Sequence, residues 1–251
     1  MANFAEKLKL LERKKQEYRE RLAALPEKQQ KAVEDEVWHQ ASRLSASIGF
    51  ETAQKPEVRS AQFGLEKAFE TVRNLEKNEE ITPALLMDLH QFVLGDEDPL
   101  NAGQYRRMSA RWNNSTMIMS NWASIPTLVN RLCDNINSNG DMGFYTPEQR
   151  HPALKGLSHH PVIRAIETCY STVVTHPFAD ANKRMARLNT ALVLSRANYI
   201  PMAIYDKRSF VENVEDYCQT HQPHNFVRMM LTQMDHTYDQ AFVSLKLRER
   251  D

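Results

Sequence analysis

The stretch Thr175-His176-Pro177-Phe178-Ala179-Asp180-Ala181-Asn182-Lys183-Arg184-Met185-Ala186-Arg187-Leu188-Asn189-Thr190 lies between two apolar helical patterns, Val162 to Val174 before it and Met185 to Ala197 after it. The junction holds an imidazole, a carboxylate, an amide and three cations. A loop that opens a helix presents backbone N–H groups and the positive end of the helix dipole, which suit an anion, phosphate above all. Lys183, Arg184 and Arg187 add positive charge, and guanidinium forks match phosphate oxygens. Asp180 is an anion amid cations, and its simplest use is to hold a divalent metal that bridges phosphates. His176 is then the natural proton acceptor for an attacking hydroxyl. Each residue also has a plainer reading. A single His between helices is commonly structural, a lone Asp before a helix is commonly a cap, and Arg184 and Arg187 fit a solvated stripe. Their joint occurrence in one short segment favours a site.

The segment resembles the signature of the Fic/Doc family, His-Pro-Phe-x-Asp-Gly-Asn-Gly-Arg-x-x-Arg. His176, Pro177, Phe178, Asp180, Asn182, Arg184 and Arg187 match, while Ala181 and Lys183 replace the two glycines. The Asp-Ala-Asn-Lys-Arg version is similar to the Doc branch, whereas Arg187 is typical of the adenylylating Fic branch. More loosely, the resemblance covers roughly residues 40–235. It implies an all-α fold with a small β-hairpin flap and added N-terminal helices. It also implies transfer of AMP from ATP to a Ser, Thr or Tyr hydroxyl of a target protein. In that reading His176 removes the hydroxyl proton and Asp180 holds Mg²⁺. The turn Ala181-Asn182-Lys183 lines the phosphates, with Asn182 and the N–H groups beside it on the phosphoryl oxygens. Arg184 and Arg187 hold the outer phosphates, Phe178 anchors the loop, and Pro177 stiffens the exit from the preceding helix. The glycine replacements keep rivals in view: a Doc-like kinase moving the γ-phosphate, a weakly active Fic-fold binding module, and removal of AMP.

Composition sets the frame. The chain has 251 residues, 41% hydrophobic and 25% charged, which are ordinary globular values. Lys plus Arg and Asp plus Glu balance at 32 each, so nothing suggests a general nucleic-acid binder. Cys133, Cys169 and Cys218 are widely spaced, which argues against a disulfide framework or a zinc site. Only seven glycines occur, in keeping with a mostly helical protein. The charged N-terminus does not read as a secretory signal, and no apolar stretch reaches the roughly 18 residues of a membrane span. The expected location is the cytoplasm, or a host cytosol for a secreted effector.

Along the chain, residues 1–55 read as an N-terminal helical extension, 56–235 as the core domain and 236–251 as a charged tail that frays. Helices are expected over 3–24 and from Glu27 to Ser47. The first is either a solvated helix on the domain edge or a dimer or partner contact. Ser47 and Glu51 have the spacing of the family's inhibitory helix, in which the Glu pairs with the second motif arginine. Thr52 departs from that pattern, and an ordinary helix end is the alternative. With Ser45 as anchor, Gly49 would take the Glu position. A stripe of Phe63, Leu65, Phe69, Val72 and Leu75 reads as core. Thr82-Pro83 starts a helix that Gly95 ends and that carries His90, read as structural. Gly103-Gln104-Tyr105-Arg106 resembles the family's Gly-x-Tyr-Arg segment, and Met108–Met119 then reads as two short strands. By resemblance, that hairpin is the flap on which a target segment docks by strand addition. Residues 137–157 are the least regular part, and His159-His160 makes a poor metal pair. Tyr199 to Tyr205 reads as extended, Asp206 as a cap, and Phe226 to Met234 as the last core helix.

Overall fold

The computed structural model describes residues 4–46, 55–111, 119–138, 154 and 156–249. Among these, nine α-helices and one short 3-10 turn account for the architecture, and no strand is present. The helices are α1 (Phe4–Ala23), α2 (Glu27–Ala46), α3 (Lys55–Asn74), α4 (Pro83–Leu94), α5 (Ile125–Asn137), α6 (Pro161–Thr175), α7 (Asn182–Arg196), α8 (Lys207–Thr220) and α9 (His224–Arg248).

The centre is the pair α6 and α7, joined by the 176–181 turn. Both are buried nearly all round, as helices at the middle of a bundle are. Val162, Ile163, Ile166, Cys169 and Val173 of α6, and Met185, Leu188, Ala191 and Leu192 of α7, are each 1% exposed or less. A polar contact inside this seam, Asn189 Nδ2 to Thr172 Oγ1 at 3.1 Å, sets the register of the two helices. Helices α3, α4, α5 and α9 pack around the pair, α2 lies on α3, and α1 on α9. The caps follow side-chain chemistry. Thr82 Oγ1 accepts from the Leu85 N–H, Asp206 Oδ1 accepts from the Ser209 N–H, and a proline opens α4, α5 and α6 within the first turn. His160 caps α6, its Nδ1 accepting from the Val162 N–H at 3.2 Å. Gly64 brings α3 against α4, since a Cβ there would stand 2.2 Å from the Phe92 carbonyl oxygen.

Several expectations are corrected. Residues 236–249 do not fray: α9 runs on to Arg248, burying Tyr238, Ala241 and Leu245. Its outer turns are tied to α1 by Lys14 between Asp235 and Asp239, by the Arg21–Glu249 pair and by Tyr18 set edge-on to Tyr238. The charges at its end are the polar face of an amphipathic helix. Phe63 is 67% exposed rather than core. It lies two residues from Leu65, on the far side of α3, where i and i+2 cannot share a face. Gly95 ends α4 as expected, in right-handed helical geometry. The run Tyr199 to Tyr205 is tied to α9, with the Ala203 N–H on Thr237 and the Tyr205 N–H on Gln233. Ser47 and Glu51 lie outside the described residues, as do 112–118 of the expected hairpin. What is described at its ends is one bond, Met119 N–H to Ala110 carbonyl at 3.3 Å. No helix among the described residues is long and apolar enough to cross a membrane.

Candidate active site

Helix α6 ends at His176, which takes the left-handed conformation at φ 47°, ψ 58°, its N–H still bonded to the Thr172 carbonyl. For a residue with a Cβ this geometry costs about 1 kcal/mol and needs outside support. Arg106 supplies it. Its Nε donates to the His176 carbonyl at 2.6 Å and its Nη2 to the Ser120 carbonyl, with a longer 3.5 Å contact to Thr175. Its Nη1 donates to the Met108 carbonyl at 2.6 Å. The Arg106 N–H bonds the Pro177 carbonyl at 3.0 Å, and Tyr105 forms an antiparallel bridge with Phe178. The segment Gly103–Arg106 is therefore laid along the start of the loop.

Phe178 is 2% exposed and is gripped from two sides. The Asn182 amide closes on its backbone, Oδ1 accepting from the Phe178 N–H at 3.0 Å and Nδ2 donating to its carbonyl at 2.9 Å. His90 of α4 stacks on its ring. The same imidazole accepts from the Gly103 N–H at Nδ1 (2.9 Å), which leaves Nε2 protonated and donating to the Asp180 carbonyl at 3.2 Å. Ala181 then turns the chain at φ 60° into α7, whose first turn carries no side-chain cap. An uncapped helix start, with N–H groups and dipole facing outward, suits an anion.

The charges around the turn are arranged unevenly. Burial drives the His176 pKa down to about 4; Arg106 and Lys183 push the same way, against Asp180 and the Val173 backbone. The ring is thus neutral near pH 7 and able to accept a proton. Its Nδ1 is buried without a hydrogen bond of ordinary geometry. Asp180 is exposed, and its Oδ1 accepts from the Ala181 N–H. Arg184 reaches the other way, pairing with Glu97 and donating to the Val93 carbonyl at 3.2 Å. Arg187 is 3% exposed and meets Ser45 of α2 twice, through Nε to Oγ at 2.7 Å and Nη2 to the carbonyl at 2.6 Å. Its Nη1 is buried with no partner, and burial lowers its pKa to about 9. No carboxylate among the described residues pairs with it.

His176, Asp180, Ala181, Asn182 and Lys183 are thus gathered in one turn, with Arg184 and Arg187 behind it in the core. The Asn182 side chain is committed within the loop. Both ends of its amide hold Phe178, so what it offers an anion is backbone, not side chain. The sequence names Ser45 only as an alternative anchor of the inhibitory helix and not as the partner of Arg187, and it does not show Glu97 or the part His90 plays in the loop. Arg106 was visible only as one letter of Gly-x-Tyr-Arg. A cavity of about 850 Å³ lined by Asp134, Asn137, Arg164 and Arg196 opens at the other end of α7. Its arginines are engaged with main-chain carbonyls of residues 135, 136 and 79, and it touches none of the turn residues.

The family model described as Fic/DOC family matches residues 80–194. Protein adenylyltransferase Fic of Nematostella vectensis is 32% identical over 155 residues, covering 59% of this chain and 32% of its own length. The chain therefore spans about a third of that relative. Among solved structures, a Fic-1 fragment from C. elegans superposes with a TM-score of 0.75 at 16% identity, covering 97% of this chain and 73% of that one. IbpAFic2 covalently tethered to Cdc42 superposes with a TM-score of 0.56 at 15% identity, over 89% of this chain and 69% of the other. At such identities the likeness is one of fold. Matched in sequence across the site-bearing helices and in fold across nearly its whole length, the chain carries a Fic/DOC family domain at residues 80–194.

Proposed function

We propose that this protein transfers AMP from ATP to a hydroxyl side chain of a target protein, with pyrophosphate leaving. The observation that carries the reading is a neutral imidazole, His176, set in one turn with an uncapped helix start. The curated relatives named protein adenylyltransferase support it, and so does the Cdc42 tethered to one neighbour of similar fold.

The residues fit a nucleotide. The start of α7 offers backbone donors, and the buried, unbonded Nη1 of Arg187 is a donor awaiting an acceptor. They also fit Mg²⁺, which binds through one or two carboxylates plus substrate phosphates rather than in a cage of protein ligands. Asp180, exposed and with one oxygen uncommitted, is the residue that would hold it. The ion would offset negative charge on the phosphates. The chain's own residues do the rest. His176, unprotonated at neutral pH, accepts the proton of the attacking hydroxyl. Arg106 fixes the backbone from which the ring projects. Asn182 and His90 hold the loop in shape, so that the N–H groups of α7 meet the phosphates without rearrangement. Arg184 and Arg187 hold the outer phosphates, for which they exchange the Glu97 and Ser45 contacts. Glu51 is assigned the inhibitory role, competing for Arg187.

ATP labelled separately at the α and γ phosphates tests this. The chain and a Glu51→Gly variant are incubated with each and with candidate target proteins. Protein-bound α label that disappears in His176→Ala supports AMP transfer. Label from γ alone makes the protein a kinase. No label from either, with ATP bound and the fold intact, makes it a binding module and overturns the reading.

A further inference from the structure

A further cavity lies where α1 and α2 meet α3 and the end of α7. Its volume is about 440 Å³, within the range of small-molecule sites. Leu22, Val37, Trp38 and Ile200 give it apolar walls, beside the rings of Tyr18 and Tyr199. Ser195 and Asn198 bring it to the C-terminal end of α7, so the length of that helix, roughly 20 Å, separates it from the His176 turn. Its polar groups divide unevenly. The acceptors are engaged: Glu34 receives Nη2 of Arg73 at 3.0 Å, and Asn198 Oδ1 receives Lys77. The Tyr199 hydroxyl is spent on Glu12. Two donors are uncommitted. Tyr18 is 4% exposed, yet its hydroxyl is buried with no hydrogen-bond partner. Glu34 and Arg73, in the same wall, act electrostatically on that phenol. Arg19, next along α1, is exposed and in no ion pair among the described residues.

A buried donor without an acceptor is costly, and a ligand oxygen would relieve that cost. Aromatic walls suit a flat ring, and free donors, one of them a guanidinium, suit a carboxylate. We infer that this cavity binds a small aromatic carboxylic acid, its ring between Trp38, Leu22 and Ile200 and its carboxylate on the Tyr18 hydroxyl and Arg19. The inference does not depend on the AMP-transfer reading, because the cavity shares no residue with the His176 turn.

Calorimetric titration of the full chain, without ATP, tests it with three probes: naphthalene-2-carboxylate, its uncharged carboxamide and 2-naphthylmethylamine. The carboxylate is expected to bind about tenfold tighter than the amine, with the carboxamide between them. Tyr18→Phe keeps the ring and removes only the hydroxyl, so it should weaken the carboxylate and the carboxamide about fivefold each. Arg19→Gln should weaken the carboxylate about fivefold and leave the carboxamide within about twofold of its parent affinity. Ala23→Phe starts from an exposed position in the cavity wall, sets a ring in the space and should abolish binding of all three. Thermal unfolding checks that each variant is folded. No heat from any probe at millimolar concentration, equal affinity for carboxylate and amine, or binding untouched by Tyr18→Phe and Ala23→Phe would each overturn the proposal.

Discussion

The ring of His90 lies flat on the ring of Phe178, centroids 3.7 Å apart and planes 6° from parallel. Its two nitrogens are both engaged, one by the Gly103 N–H and one by the Asp180 carbonyl. A single side chain on α4 therefore joins the segment before the flap position to the turn bearing His176. Truncation to Ala removes the stack and leaves two buried backbone groups unpaired, so it should lower stability by about 3 kcal/mol. His90→Gln, which can restore one of the two bonds, should recover part of that. Urea unfolding measures both. A loss under about 1 kcal/mol for His90→Ala would mean that the loop holds its shape without the ring.

The same burial makes stability depend on pH. Burial lowers the pKa of His90 and of His176 to about 4 in the folded chain, against 6.5 for an unperturbed His. Between those values the unfolded chain binds protons that the folded chain does not, so stability falls as pH falls through that window. Each His contributes a slope approaching ~1.4 kcal/mol per pH unit. Well above pH 6.5 these two groups contribute no slope. His160, also lowered by burial, steepens the upper part, whereas Glu12, lowered from 4.5, adds to the slope only at the acid end of the window and below it. His90→Phe should remove about half of the combined slope of the two rings. Urea midpoints at stepped pH values check this, and a flat profile from neutral pH down to 4.5 would contradict it.

How much of this was legible in the sequence follows from distance along the chain. His176 to Arg187 were readable because their chemistry is local: a turn between two apolar helices concentrates unlike charges in one segment. His90, Arg106, Ser45 and Glu97 act on that turn from far off in sequence, and no periodicity reports such contacts. A His on an apolar helix looks the same whether it stacks on Phe178 or merely fills space. The end of α9 was misread for another reason. The basic and acidic residues after Val243 have the composition of a tail, while Met234, Tyr238, Ala241 and Leu245 repeat at spacings of three and four and form a buried helix face. That the Asn182 amide closes on Phe178 was not legible either, because a motif letter says which residue is required, not which of its atoms is used.

Ala181 stands at φ 60°, a left-handed position entered here by a residue with a Cβ. The strain is about 1 kcal/mol, and Gly would relieve it, although a Gly chain loses more entropy on folding. Ala181→Gly should therefore be neutral or stabilise by up to ~1 kcal/mol. Ala181→Val, β-branched at a buried left-handed position, should destabilise by about 2 kcal/mol or more. Thermal or urea unfolding of the pair distinguishes strain at this turn from a turn that has relaxed around its alanine.

Arg187 offers the sharpest separation of function from stability. It is a buried guanidinium that has Ser45 and the Phe210 ring as neighbours but no described carboxylate, and one of its nitrogens bonds nothing. Replacing such a charge with an apolar side chain of similar length removes a desolvation penalty along with its hydrogen bonds. Arg187→Met should thus leave stability unchanged or raise it by up to ~2 kcal/mol. Arg187→Ala opens a cavity and should lower it by about 2 to 4 kcal/mol. If the cation is kept for the outer phosphates, both variants should lose ATP binding alike despite their opposite effects on folding. Calorimetric titration with ATP and Mg²⁺, beside urea unfolding, reads the two quantities separately. A Met variant that unfolds easily yet binds ATP as the parent does would make Arg187 a structural strut and remove it from the nucleotide site.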